Sequence, residues 1–117
     1  LMAVIEKRIG IHMADYDAYV NIAGGMRINE PAIDLSVAAA VISSYRNRAI
    51  PDGTLIFGEV GLVGEVRGVS MASKRIAEAV KMGYTTCIMP KANREALEDI
   101  HIKCYCISNI RELVDII

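Results

Sequence analysis

Tryptophan is absent from this chain and phenylalanine occurs once, at Phe57, although 53% of the residues are hydrophobic. The core must therefore be aliphatic, built from Val, Ile, Leu, Ala and Met. No aromatic platform for stacked bases emerges either, which argues against base-specific reading of nucleic acid. An excess of charge is also missing. A net charge of −1 and a pI near 6.1 exclude an overall basic nucleic-acid binder. Any DNA contact must come from a local patch, or from many subunits lining one channel. No apolar run approaches the ~20 residues of a membrane span, and no signal peptide is evident. The expectation is a cytoplasmic protein without a membrane partner. The opening Leu1-Met2-Ala3-Val4 lacks a natural start and suggests a piece of a longer protein.

Cysteine is scarce and unpaired in pattern. Cys87, Cys104 and Cys106 are an odd set with no Cys-x-x-Cys spacing, so a zinc site has no support and free thiols are expected. Cys104 and Cys106 alternate with Tyr105, which places both on one side of a strand. His12 and His101 lack a metal-type partner three or four residues away. Gly24-Gly25 and Gly58-Glu59-Val60-Gly61 lack the Lys and Ser/Thr of a phosphate-cradling loop, so close backbone packing accounts for them and no ATP site lies here.

What remains is a chain long enough, at 117 residues, for one domain with its own core. Residues 2–9 carry helical spacing and end at Gly10. Residues 11–13 and 17–23 read as strands, with 26–28 a short extended piece. Asn29 or Glu30 caps a long helix that admits Pro31 in its first turn, where amides have no intrahelical acceptor. Asp34 sits where the helix dipole favours a carboxylate. From Leu35 to Tyr45 the helix is apolar nearly all round, which predicts burial against more than one surface. Arg46-Asn47-Arg48 then ends it in solvent. Pro51-Asp52-Gly53 is a turn. Residues 54–57 and 60–67 read as two strands, the second punctuated by glycines. Residues 70–82 are amphipathic, with Ile76, Ala79 and Val80 inward, and Gly83 closes them. Residues 86–89 form a buried strand, Asn93 caps a short helix, 103–107 form a last strand, and Ser108 caps a closing helix over 109–117. The order βββ-α-ββ-α-β-α-β-α is that of an α/β (α+β) domain.

Two blocks carry a family resemblance. Asn29-Glu30-Pro31-Ala32-Ile33-Asp34-Leu35-Ser36-Val37 and Gly58-Glu59-Val60-Gly61-Leu62-Val63-Gly64-Glu65-Val66 resemble the proteolytic domain of the Lon family. That family places a nucleophilic Ser after a Pro at a helix start, and a Lys base in a later helix. Aligned without gaps, the Ser position falls on Ala32 and the Lys position on Ser73. A methyl group cannot attack a carbonyl, and a hydroxyl cannot replace the amine that takes its proton. A narrower resemblance explains the loss. Residues 20–28, 30–37 and 57–67, with 3–8 and 77–83, are similar to the C-terminal domain of the RadA (Sms) family of bacterial DNA repair proteins. That family has Ala at the Ser position as a rule.

The resemblance implies a ribosomal-protein-S5 domain 2-like fold, with residues 1–10 a helix leading in from an ATPase part and 11–117 one Lon-like domain. It implies ATP, Mg and Zn only for segments N-terminal to this one. It also implies a non-proteolytic scaffold that forms a homo-oligomer, a hexamer by expectation, and helps to hold single-stranded or branched DNA during branch migration, with a recombinase as a further partner. The DNA-binding candidates are Arg27, Arg67, Lys74, Arg75 and Lys81, each multiplied around a ring axis. Two other readings compete. An active Ser–Lys peptidase would need Ser36 or Lys74, but a one-residue offset turns a helix side chain by about 100°, and Ser36 is suited to bond its own backbone. A protein-interaction module without DNA contact is the other. An acid cluster of Glu30, Asp34 and Glu59 is explained more simply by helix-start electrostatics.

Overall fold

The apolar run after Pro31 does form a buried helix. A computed structural model describes residues 31–98 and 100–117; the readings for residues 2–28, the Asn29 and Glu30 caps and Arg27 lie outside them. A 3-10 turn, Pro31–Ile33, leads into α1, Asp34–Arg46. Leu35, Ala38, Ala39, Val41 and Ile42 are buried, and the alanines let other elements approach closely. Asn47 ends the helix in the left-handed conformation at φ 54°, returning its amide to the carbonyls of Ser43 and Ser44. Arg46 does not end in open solvent as expected. Its guanidinium donates to the Val114 carbonyl at 2.9 Å, tying the end of α1 to the last helix.

Strands β1 (Thr54–Ile56), β4 (Thr86–Pro90) and β5 (Lys103–Ile107) form a parallel sheet in the order β1-β4-β5. Between β1 and β4 come the short antiparallel pair β2 (Glu59–Val60) and β3 (Val66–Arg67), then helix α2 (Ala72–Lys81). The mixed α/β expectation holds. Alternation along the strands divides the core between the two sheet faces. Ile56, Ile88, Tyr105 and Ile107 turn toward α1 and the closing helix α3 (Leu113–Ile116). Leu55, Phe57, Cys87, Met89, Cys104 and Cys106 turn toward α2 and the segment after β4. Covered on both faces, β4 can be apolar at Cys87, Ile88 and Met89 in succession.

Four more expectations are corrected. Residues 60–67 are not one strand: the glycines fold them into a hairpin, with Gly64 at φ 86° and the Gly61 amide bonded to the Glu65 carbonyl at 2.8 Å. A Cβ on Gly61 would collide with the Glu65 carboxylate. Val80 does not join the core but is 39% exposed. Asn93 caps no helix, because the segment Lys91–Leu97 is 3-10 and begins directly after Pro90. Its amide group instead grips a distant backbone: the Val69 amide donates to Asn93 Oδ1 at 2.8 Å, and Asn93 Nδ2 donates to the Val69 carbonyl at 3.1 Å. Asn93→Ala removes both bonds from a half-buried site. It is expected to cost about 1–3 kcal/mol in urea denaturation, with Asn93→Asp intermediate because it keeps the acceptor.

The fourth correction concerns the closing helix. Asn109, not Ser108, is its cap, and a 3-10 turn, Ile110–Glu112, precedes α3. Asn109 Oδ1 accepts from the Arg111 amide at 3.0 Å, while Glu112 Oε2 accepts from the amides of Ser108 (2.8 Å) and Asn109 (2.9 Å) and from the Ser108 hydroxyl (3.2 Å). Burial works to raise the Glu112 carboxyl, but these hydrogen bonds outweigh it and hold the group below its ordinary 4.5. A lowered folded value means stability that is present above pH 4.5 and lost as pH falls through the folded value. Glu112→Gln is therefore expected to cost about 1 kcal/mol at neutral pH. In a urea series taken down to about pH 3, the variant should lose less stability than the parent chain.

Candidate functional site

The two sequence blocks meet in space. The Gly58 amide donates to the Ala32 carbonyl at 2.8 Å, and the Leu35 amide donates to the Gly58 carbonyl at 2.9 Å. One step on, Asp34 Oδ2 accepts from the Val60 amide at 3.1 Å. Asp34 thus does more than face a dipole; it stitches the start of α1 to β2. With Gly58 and Val60 both pinned, Glu59 between them is held at the rim of a depression of about 220 Å³. Its lining is Pro31, Ala32, Glu59, Gly68, Val69, Ser70 and Arg75. Asn93 fixes Val69 from behind. Arg75 Nε donates to the Ser70 carbonyl at 3.2 Å, which sets the guanidinium against the same loop.

Ala32, at 4% exposure, lines this depression. Ser73 is exposed and lines a different depression, with Met71, Ala72, Asn93 and Glu95. The two aligned dyad positions therefore do not line the same depression. Arg75 faces Ala32's depression instead, a placement that helix spacing alone did not single out. Ser70 supplies a hydroxyl there, also unanticipated. Among the described lining residues the one cation is the Arg75 guanidinium, which stays charged and cannot accept a proton. Ser36 behaves as read from sequence: its hydroxyl lies 3.1 Å from the Ile33 carbonyl and 3.3 Å from that of Ile56.

The candidate DNA contacts are unequal. Lys74 and Lys81 are exposed on α2, seven residues apart and so on one face, with the exposed Glu78 between them. Arg67 is exposed but its guanidinium pairs with Glu65 Oε2 at 2.9 Å. The Glu65 carboxyl is held below its ordinary 4.5 by its backbone hydrogen bond and by Arg67. Arg75 is partly buried and Arg27 lies outside the described residues. Among the described residues no group of His, Cys, Asp or Glu could hold a metal ion, and no helix is long and apolar enough to cross a membrane.

Residues 2–93 match a family model described as subunit ChlI of Mg-chelatase. Among curated relatives, the DNA repair protein RadA of Halalkalibacterium halodurans is 50% identical over 93 residues, covering 80% of this chain and 20% of that protein. The DNA repair protein RadA of Aquifex aeolicus is 40% identical over 117 residues, covering 100% of this chain and 26% of that protein. That of Escherichia coli (strain K12) is 44% identical over 93 residues, covering 80% and 20%. The chain spans about a fifth to a quarter of the length of these relatives.

Proposed function

The chain belongs to the family described as subunit ChlI of Mg-chelatase and is a RadA-type domain, and from that premise we propose that it is the proteolytically silent, Lon-like scaffold of a cytoplasmic DNA repair protein. Its work is assembly: copies join into a ring, six by expectation, that helps to hold single-stranded or branched DNA. ATP hydrolysis with Mg, a Zn module, branch migration and contact with a recombinase belong to the longer protein. The observation that supports the silent-scaffold reading is the Ala32 depression, where the position aligned with the nucleophile carries no hydroxyl and Arg75 is the one cation among the described lining residues. Chemistry without an activated nucleophile or an amine base leaves binding as the domain's role.

Purified chain should hydrolyse neither casein nor fluorogenic peptides, and should resist a fluorophosphonate probe. The Ala32→Ser/Ser73→Lys double variant should stay inactive, because those positions line different depressions. Hydrolysis that vanishes in Ser70→Ala would overturn the reading. For DNA, filter binding should weaken steeply with added salt. Lys74→Glu/Lys81→Glu should weaken it at least tenfold at low salt; unchanged affinity would remove α2 from the DNA-facing surface. Light scattering well above monomer mass is the expected sign of assembly.

A further inference from the structure

A second hollow, of about 280 Å³, lies at the opposite end of the sheet from the Ala32 depression. Thr54, Thr86 and Lys103, the first residues of β1, β4 and β5, mark its place at the amino ends of the parallel strands. Its floor is apolar: Ile50, Ile88, Ile116 and Ile117. The charged side chains among its described lining residues are both cationic. Arg48 and Lys103 are both exposed, and no Asp or Glu occurs among the described lining residues, in a chain whose net charge is −1. Lys103 Nζ sits 5.4 Å from the centre of the Tyr105 ring, which holds the ammonium beside the opening.

We propose that this hollow docks an acidic segment of a partner protein, seating one large apolar side chain on the isoleucine floor while flanking carboxylates meet Arg48 and Lys103. At about 280 Å³ the hollow stands at the lower edge of the ~300–1,000 Å³ usual for small-molecule pockets, and it has room for one large anchoring side chain. The apolar floor decides against nucleic acid, since phosphates would use the two cations and leave the floor wet. The inference is independent of the Ala32 depression and of α2.

The test uses the 117-residue chain and fluorescein-labelled peptides in which Phe, Leu or Met is set between Glu-Asp pairs. Binding is read by anisotropy, and its location by amide shifts at Thr86 and Lys103. At least one peptide should bind at sub-millimolar concentration, and replacing its apolar residue with Ser should abolish binding. Arg48→Glu and Lys103→Glu should each weaken it about fivefold, an exposed ion pair being worth up to ~1 kcal/mol. Ala49→Trp, at an exposed lining position, should block the hollow without unfolding the chain. The proposal fails if no peptide binds at millimolar concentration, if the Ser-substituted peptide binds equally, or if both charge reversals leave affinity unchanged. It also fails if a single-stranded oligonucleotide competes with the peptide and shifts the same amides.

Discussion

Gly58→Ala is expected to destabilise the domain by about 2–5 kcal/mol, a large part of the ~5–15 kcal/mol that holds an ordinary domain together. Gly58 lies at φ 154°, a backbone region that side chains rarely adopt. A Cβ there would stand 3.1 Å from Leu35 Cδ2, 3.1 Å from Pro90 Cγ and 3.2 Å from Val66 Cγ1. Leu35 and Pro90 are fully buried and Val66 nearly so, so none can swing away cheaply. The same residue exchanges both backbone hydrogen bonds with the start of α1. Strain at this one position therefore reaches the core and the Ala32 depression together. Gly83→Ala is the control. It sits at φ 91° with nothing near its missing Cβ, so it should cost only the conformational term, about 1 kcal/mol. Equal melting temperatures for the two variants would show that the packing around Gly58 is looser than the described contacts.

Gly58 also shows what sequence could and could not disclose. The Gly-Glu-Val block stood out as a motif, and α1, β4 and β5 followed from apolar runs and alternation. Those signals are local, and the pattern of burial on one element is enough to read them. The hairpin at residues 61–65 escapes a sequence reading because Val60, Val63 and Val66 suit a strand, and the glycines among them read as punctuation rather than as the turn itself. Asn93 has the chemistry of a helix cap. Its true partner, Val69, is 24 residues away, and no local pattern announces such a pairing. Arg75 was legible as a cation and not as the lining of Ala32's depression. Helix phase fixes the direction of a side chain around its own axis, while the placement of residues 68–70 and Arg75 beside Ala32 is a tertiary fact.

The second large effect is chemical. Cys106 is expected to react with iodoacetamide about 100-fold more slowly in the folded chain than in urea near pH 8, since only the thiolate attacks. Burial, and then the hydrogen bond with Cys104, push its thiol from 9.0 up to about 11. Two units leave roughly one hundredth of the thiolate that an unperturbed cysteine would carry. Cys104 is raised further, by its hydrogen bond with Cys87 first and by burial second. The geometry behind this is the parallel register. Cys87 and Cys104 are direct partners across β4 and β5, and Cys104 and Cys106 bring their sulfurs to 3.6 Å on the same sheet face. Cys104 and Cys106 are thus packed on the α2 side of the core beside the buried Cys87, with their thiols held protonated. The alkylation rate should climb nearly tenfold per pH unit up to about 11. Because the folded value is raised, the matching contribution to stability is whole below pH 9.0 and is lost as pH rises toward 11. Cys104→Ser or Cys104→Ala separates the two causes. If the hydrogen bond from Cys104 matters, Cys106 in the alanine variant reacts faster than in the parent chain. If burial alone acts, the rate stays slow. A native rate already equal to that in urea would mean that the β5 thiols are open to water.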